Sequence, residues 1–174
     1  MLSPVSLGGA KQRLLAERIP ALFFGTAVIA HAIAWPALAL VAHDLPSFAG
    51  GPGPVLAAVH SLTLGVLLST AFGASLQMLP VALGHSAPTE GVCLAIFAAL
   101  VTGAVLMITG FALSSIPLMT AAVLPLAGAV ALYVRAITRL VRGGSGSLRW
   151  FILTAILALT LAVVSVECLH GECE

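Results

Sequence analysis

The residues best suited to chemistry in this chain are its five histidines and three cysteines. His60 stands near the start of "VHSLTLGVLLSTAFGASLQMLPVALG" (59–84), a stretch with no charged side chain. An ionisable group inside an apolar span is costly in lipid, so it is a functional candidate by default. At 1.5 Å per residue His60 lies about 7 Å below the outer end of its span, a depth that suits an axial haem ligand. A histidine hydrogen-bonded to a neighbouring helix explains the position equally well.

His31 falls in the middle of an earlier apolar run, followed by Trp35 and Pro36. It either hydrogen-bonds across a bundle or reaches a cofactor. Helix rise separates His31 from His60 by roughly 10 Å in depth, and Met78 from His60 by about 27 Å along one helix. Neither is well placed as a second axial ligand within one chain. His43 and Asp44 share a loop, and the tail "VECLHGECE" adds Glu167, Cys168, His170, Glu172 and Cys173. Imidazole, thiolate and carboxylate are the side chains that bind copper or zinc. The tail reads as such a site, as a solvated end, or as a Cys168–Cys173 pair in an oxidising compartment. His85 and Glu90 read as a solvated turn. Cys93 packs as a small hydrophobe. Gln77 reads as a helix–helix hydrogen bond. Thr63, Ser69, Thr70 and Ser75 can bond their own helix carbonyls.

The elements that position these groups follow from composition. The chain has 174 residues, 60% hydrophobic and 7% charged. Its mean hydropathy is +1.17. That leaves too little polar surface for a water-soluble globule. The expected fold is all-α, a polytopic membrane bundle of five transmembrane helices at about 20–42, 55–80, 91–112, 117–138 and 150–169. Proline- and glycine-rich breaks separate them: "HDLPSFAGGPGP", "PVALGHSAPTEG", "SSIP" with Pro117 at a helix start, and "RGGSGSLR". Period-two alternation is missing, which argues against a β-barrel. The first run is too long for a signal core and is expected to be retained as a span. Residues 1–18 form an amphipathic basic segment at the membrane surface, 19–170 one transmembrane domain, and 171–174 a polar tail. Gly65, Ser69 and Gly73, spaced by four, set a small face on span two for close helix approach.

With five spans, every Lys and Arg falls on one side: Lys11, Arg13 and Arg18 before span one, and Arg135, Arg139, Arg142 and Arg149 around the last loop. The positive-inside rule makes that side cytoplasmic, with the N-terminus in and the C-terminus out. His43, His60 and the tail then share the outer side. The net charge of +1 gives no case for nucleic acid. No span carries an acid, which argues against a proton-coupled transporter. No phosphate loop, dinucleotide fingerprint or zinc-protease motif occurs.

The stretch 59–84 resembles the second helix of haem–copper oxidase subunit I-like membrane proteins, including the NnrS-like nitric-oxide-response proteins. The pattern is H-x-x-T-L-G, here His60, Thr63, Leu64 and Gly65, then Q-M-x-P, here Gln77, Met78 and Pro80. In that family the second helix begins outside and bears a low-spin haem ligand near that end. The resemblance therefore implies a haem b ligand role for His60. It covers this stretch alone, and the family's chains have many more spans, including those bearing the second ligand and the copper-ligand histidines. A second axial ligand then comes from another subunit, His31, His43, His170 or the His60 of a second copy.

The expected function is a small haem b-binding protein of a bacterial inner membrane, for electron transfer or gas (O2 or NO) sensing. It is not expected to be a complete enzyme on its own. The alternatives are a non-catalytic subunit or assembly factor of a respiratory complex, and an outer-face metal-handling protein using His43, His60, Cys168, His170 and Cys173. The expected partners are the lipid bilayer and either further copies of the chain or a larger membrane complex.

Overall fold

A computed structural model describes residues 13–142 together with Trp150, Ile152 and Thr154. Among these residues all regular structure is helical. Four helices are long and apolar enough to cross a membrane: α1 (Arg18–Leu40), α2 (Pro54–Leu83), α3 (Glu90–Ala112) and α4 (Ile116–Arg142). The chain is thus a multi-pass membrane protein by the length and composition of its helices. Apart from those three residues, the expected fifth span (150–169) lies outside the described residues. So do the segment before Arg13 and the tail with Cys168, His170 and Cys173.

The helices outrun some of the sequence breaks. α1 continues through Pro36 and α4 through Pro125. α2 continues past Pro80, and Gly84 ends it with a left-handed φ of 72°. Proline removes one backbone donor, but leaving the helix in lipid would expose many more unpaired groups. The break after span two is therefore set by Gly84 rather than by Pro80. Within α2, residues Ser61–Leu68 are wound as a π-helix, which the sequence reading does not anticipate.

Glycines set the helix spacing. A Cβ on Gly65 would stand 2.5 Å from Ala30 Cβ, and one on Gly73 would stand 2.6 Å from Phe23 Cβ, so the small face of α2 lies directly on α1. Gly103 and Gly110 do the same for α3 against Leu126 and Met119 of α4. The α1–α2 and α3–α4 pairs are thus antiparallel hairpins packed at small residues, as expected where lipid leaves van der Waals contact as the main attraction. Phe23, Phe72, Leu76, Ile96 and Leu100 fill the core, with Cys93 buried beside them. Phe23 meets Phe97 edge-on at 5.2 Å, and Phe72 stacks on Tyr133 at 3.9 Å.

The bundle has two chemically different ends. At one end Arg18 pairs with Glu90 at 2.5 Å, joining the starts of α1 and α3. Arg13 comes close to Gly84, and Arg139 faces the connection that follows it. Arg135 and Arg142 flank Arg139 on the final turns of α4. At the other end Val41, Val55 and Ala58 pack together where α1 leaves and α2 begins. His43 and His60 both belong to that second end.

Candidate functional site

His60 is held by its own helix. Its Nδ1 stands 2.9 Å from the Leu56 carbonyl oxygen, one turn back. A carbonyl only accepts, so Nδ1 carries a proton and donates, and with that single ring proton the lone pair lies on Nε2. The contact fixes the orientation of the ring and turns Nε2 away from its own helix backbone. Phe111, near the C-terminal end of α3, lies against the half-buried ring at 4.4 Å between centroids. The hydrogen bond runs within α2 rather than to a neighbouring helix.

His60 immediately precedes the π-helical stretch. Ser61 Oγ donates to Ala57 O at 2.9 Å, and Ser69 Oγ donates to Leu64 O, five residues back, at 3.3 Å. Ser69 thus bonds a carbonyl of the π-helical stretch, and Ser61 one in the α-helical turn before it. Ser61, Gly65 and Ser69 line a groove of about 380 Å³ whose other walls include Thr26 and Ile29 of α1 and Thr109 of α3. The groove is mostly apolar with a few hydroxyls, the lining common to small-molecule sites.

The other sequence candidates sit elsewhere. His31 is exposed on α1, and its Nε2 accepts a 2.9 Å hydrogen bond from Trp35 Nε1. The i, i+4 spacing of the two residues places them on one helix face. Ala30 abuts Gly65, so His31 lies roughly one helical turn deeper than His60. No hydrogen bond or ring contact joins His31 to His60 among the described residues. His43 Nε2 meets Asp44 Oδ1 at 3.2 Å on the exposed loop. Among the described residues no three His, Cys, Asp or Glu side chains gather as a metal site. Cys168, His170 and Cys173 lie outside the described residues, so the arrangement of the tail with His43 and His60 does too.

The polar residues of α2 serve packing. Gln77 Oε1 accepts from the Leu15 N–H at 3.3 Å, tying α2 to the segment before α1. Ser75 shares a 2.8 Å hydrogen bond with Tyr133 OH as well as bonding Ala71 O. His85 differs from a solvated turn: it is half-buried, and its Nε2 is a buried atom without a hydrogen-bond partner. Sequence reasoning missed it because Gly84 and Pro88 flank it with turn signals, and nothing local marks which ring edge faces inward. Compared with family models, curated proteins and solved structures, the chain has no match.

Proposed function

We propose that this chain is a small haem b-binding membrane protein, for electron transfer or gas sensing, in which His60 Nε2 is an axial ligand. The observation that supports the reading is the Leu56–His60 hydrogen bond, which leaves Nε2 as the free basic nitrogen of a half-buried ring. Phe111 gives a porphyrin an apolar neighbour on the same side. The described residues supply one such ligand, so the reading takes the second from a second copy's His60. The basic end faces the cytoplasm of a bacterial inner membrane in this reading, which sets His60 near the outer face. The bound iron supplies one-electron or gas-binding chemistry, and burial and the second ligand tune its potential.

The test is an absorption spectrum of the detergent-purified chain expressed with ample haem, oxidised and reduced. A Soret band and sharp reduced α/β bands, at one haem per two chains and lost in His60→Ala, are expected. Wild-type protein without haem sinks the reading.

A second reading is a subunit of a larger membrane complex. One observation favours it: the His31–Trp35 pair is exposed on α1 near mid-span, where polar groups normally face protein. Haem-free protein whose oligomeric state changes in Trp35→Phe would select this reading over the first.

A further inference from the structure

One face of α1 turns away from the rest of the bundle. Phe23 and Ala30 meet Gly73 and Gly65 of α2. Phe24, Val28, His31 and Trp35, spaced by four, three and four, lie along another face and are exposed. Phe24 and Val28 need no neighbour but lipid. His31 needs more. Its Nε2 accepts from Trp35 Nε1, so Nε2 carries no proton and the ring's single proton sits on Nδ1. That N–H has no hydrogen-bond partner among the described residues. His31 is the fourteenth of the 23 residues of α1, so the unmet donor lies near the middle of the hydrocarbon. An unmet acceptor lies one residue on. Pro36 stays inside α1 and has no N–H, so the Ala32 carbonyl loses the donor that a regular helix would give it. Ala32 and Pro36 are both exposed.

Lipid tails offer neither donors nor acceptors, so each unmet group costs free energy until protein supplies its partner. An unmet donor and an unmet acceptor on adjacent residues make this face complementary to a copy of itself. A two-fold axis along the membrane normal sets two copies of α1 side by side at equal depth, each contact then occurring twice. Any other helix would have to bring both an acceptor and a donor to that depth, whereas a second copy brings both by symmetry. We propose that this face of α1 binds a second copy of the chain, the His31 Nδ1–H of each copy donating to the Ala32 carbonyl of the other. Ala32 carries only a methyl group, which lets two backbones approach closely enough for such a bond. The pairing rests on the second reading above, in which this side of α1 meets protein, and it names that protein. His60 and Phe111 take no part in it, and it needs no haem.

The test is energy transfer between two populations of the full-length chain, labelled at the N-terminus with donor and acceptor dyes, in phosphatidylcholine vesicles of increasing dilution. Wild type is expected to pair. His31→Phe removes the donor, and Pro36→Ala restores the helical N–H that occupies the Ala32 carbonyl. Each should weaken pairing about fivefold or more, the effect of two symmetry-related bonds of membrane strength. Pro36→Ala also favours the helix, so weaker pairing in that variant cannot come from unfolding. The double variant removes both partners together and should pair no more weakly than either single one. Leu124→Ala, at a residue 81% exposed on α4, should change pairing less than twofold. A monomeric wild type overturns the proposal and leaves the second reading to another protein partner. A loss below twofold in His31→Phe or Pro36→Ala, losses that multiply in the double variant, or an equal loss in Leu124→Ala also overturns it. A dimer unchanged in His31→Phe, Pro36→Ala and Trp35→Phe overturns both the proposal and that reading.

Discussion

The Nδ1 of His60 lies 2.9 Å from the carbonyl oxygen of Leu56, and that contact decides which ring nitrogen is left to bind anything else. A backbone carbonyl cannot donate, so the proton belongs on Nδ1. A nitrogen-15 spectrum of the haem-free imidazoles should therefore show His60 protonated at Nδ1 and unprotonated at Nε2. A ring found mainly with its proton on Nε2 would put the lone pair on Nδ1, facing the Leu56 carbonyl, and would remove the basis of the haem reading. Phe111→Ala should leave the tautomer intact and raise the rate at which diethyl pyrocarbonate modifies His60, because the ring loses its covering neighbour.

Gly73 should tolerate no side chain. Its would-be Cβ meets Phe23 Cβ at 2.6 Å, and Phe23 is fully buried, so neither can move aside cheaply. Gly73→Val should cost about 1–3 kcal/mol, the usual range for overpacking. Gly25→Val is the control, since nothing lies within 4 Å of a Cβ there. Reversible unfolding in mixed micelles, or the thermal midpoint in detergent, reads the difference. Equal loss in both variants would mean that the α1–α2 contact at Gly73 does not set the cost.

The two glycines show which part of the fold is legible in the sequence. The spacing of Gly65, Ser69 and Gly73 marks a face of α2, and the structure puts α1 on that face. Long apolar runs bounded by Gly and Pro are equally direct, and the four described spans follow from them. The π-helical winding of Ser61–Leu68 is not legible, because a segment apolar on every side has the same pattern at 3.6 or 4.4 residues per turn. The partners of single polar atoms are also hidden. His60 turns to its own helix and His31 to Trp35, choices set by rotamer and local winding rather than by residue type. His85 reads as a loop residue, yet the closure at Gly84 turns its ring edge inward.

Tyr133 and Ser75 make a direct polar link between spanning helices, with their oxygens 2.8 Å apart. Such bonds contribute about 0.6 kcal/mol on average inside membranes, because the unfolded chain also finds partners there. A double-mutant cycle of Tyr133→Phe and Ser75→Ala should give a coupling energy of that order. The Phe72 stack survives in Tyr133→Phe, so the single variant should lose little more. A coupling near zero would mean that Ser75 is satisfied by Ala71 O alone, which it also contacts.

The α3–α4 turn stores strain that a single substitution should release. Ser114 has a φ of 49°, the one non-glycine residue on the positive side among the described residues. The conformation is required because the Ser115 N–H bonds Gly110 O at 2.8 Å, closing the end of α3. A left-handed L-residue costs roughly 1–2 kcal/mol through its Cβ, and glycine avoids that clash at some cost in unfolded-chain entropy. Ser114→Gly should therefore stabilise the chain by about 0.5–1 kcal/mol. Ser114→Val should destabilise it, since a β-branched side chain suffers most at positive φ. Thermal midpoints of the two variants in one detergent should bracket the wild type. A lower midpoint for the glycine variant would show that the turn does not hold Ser114 in the left-handed region.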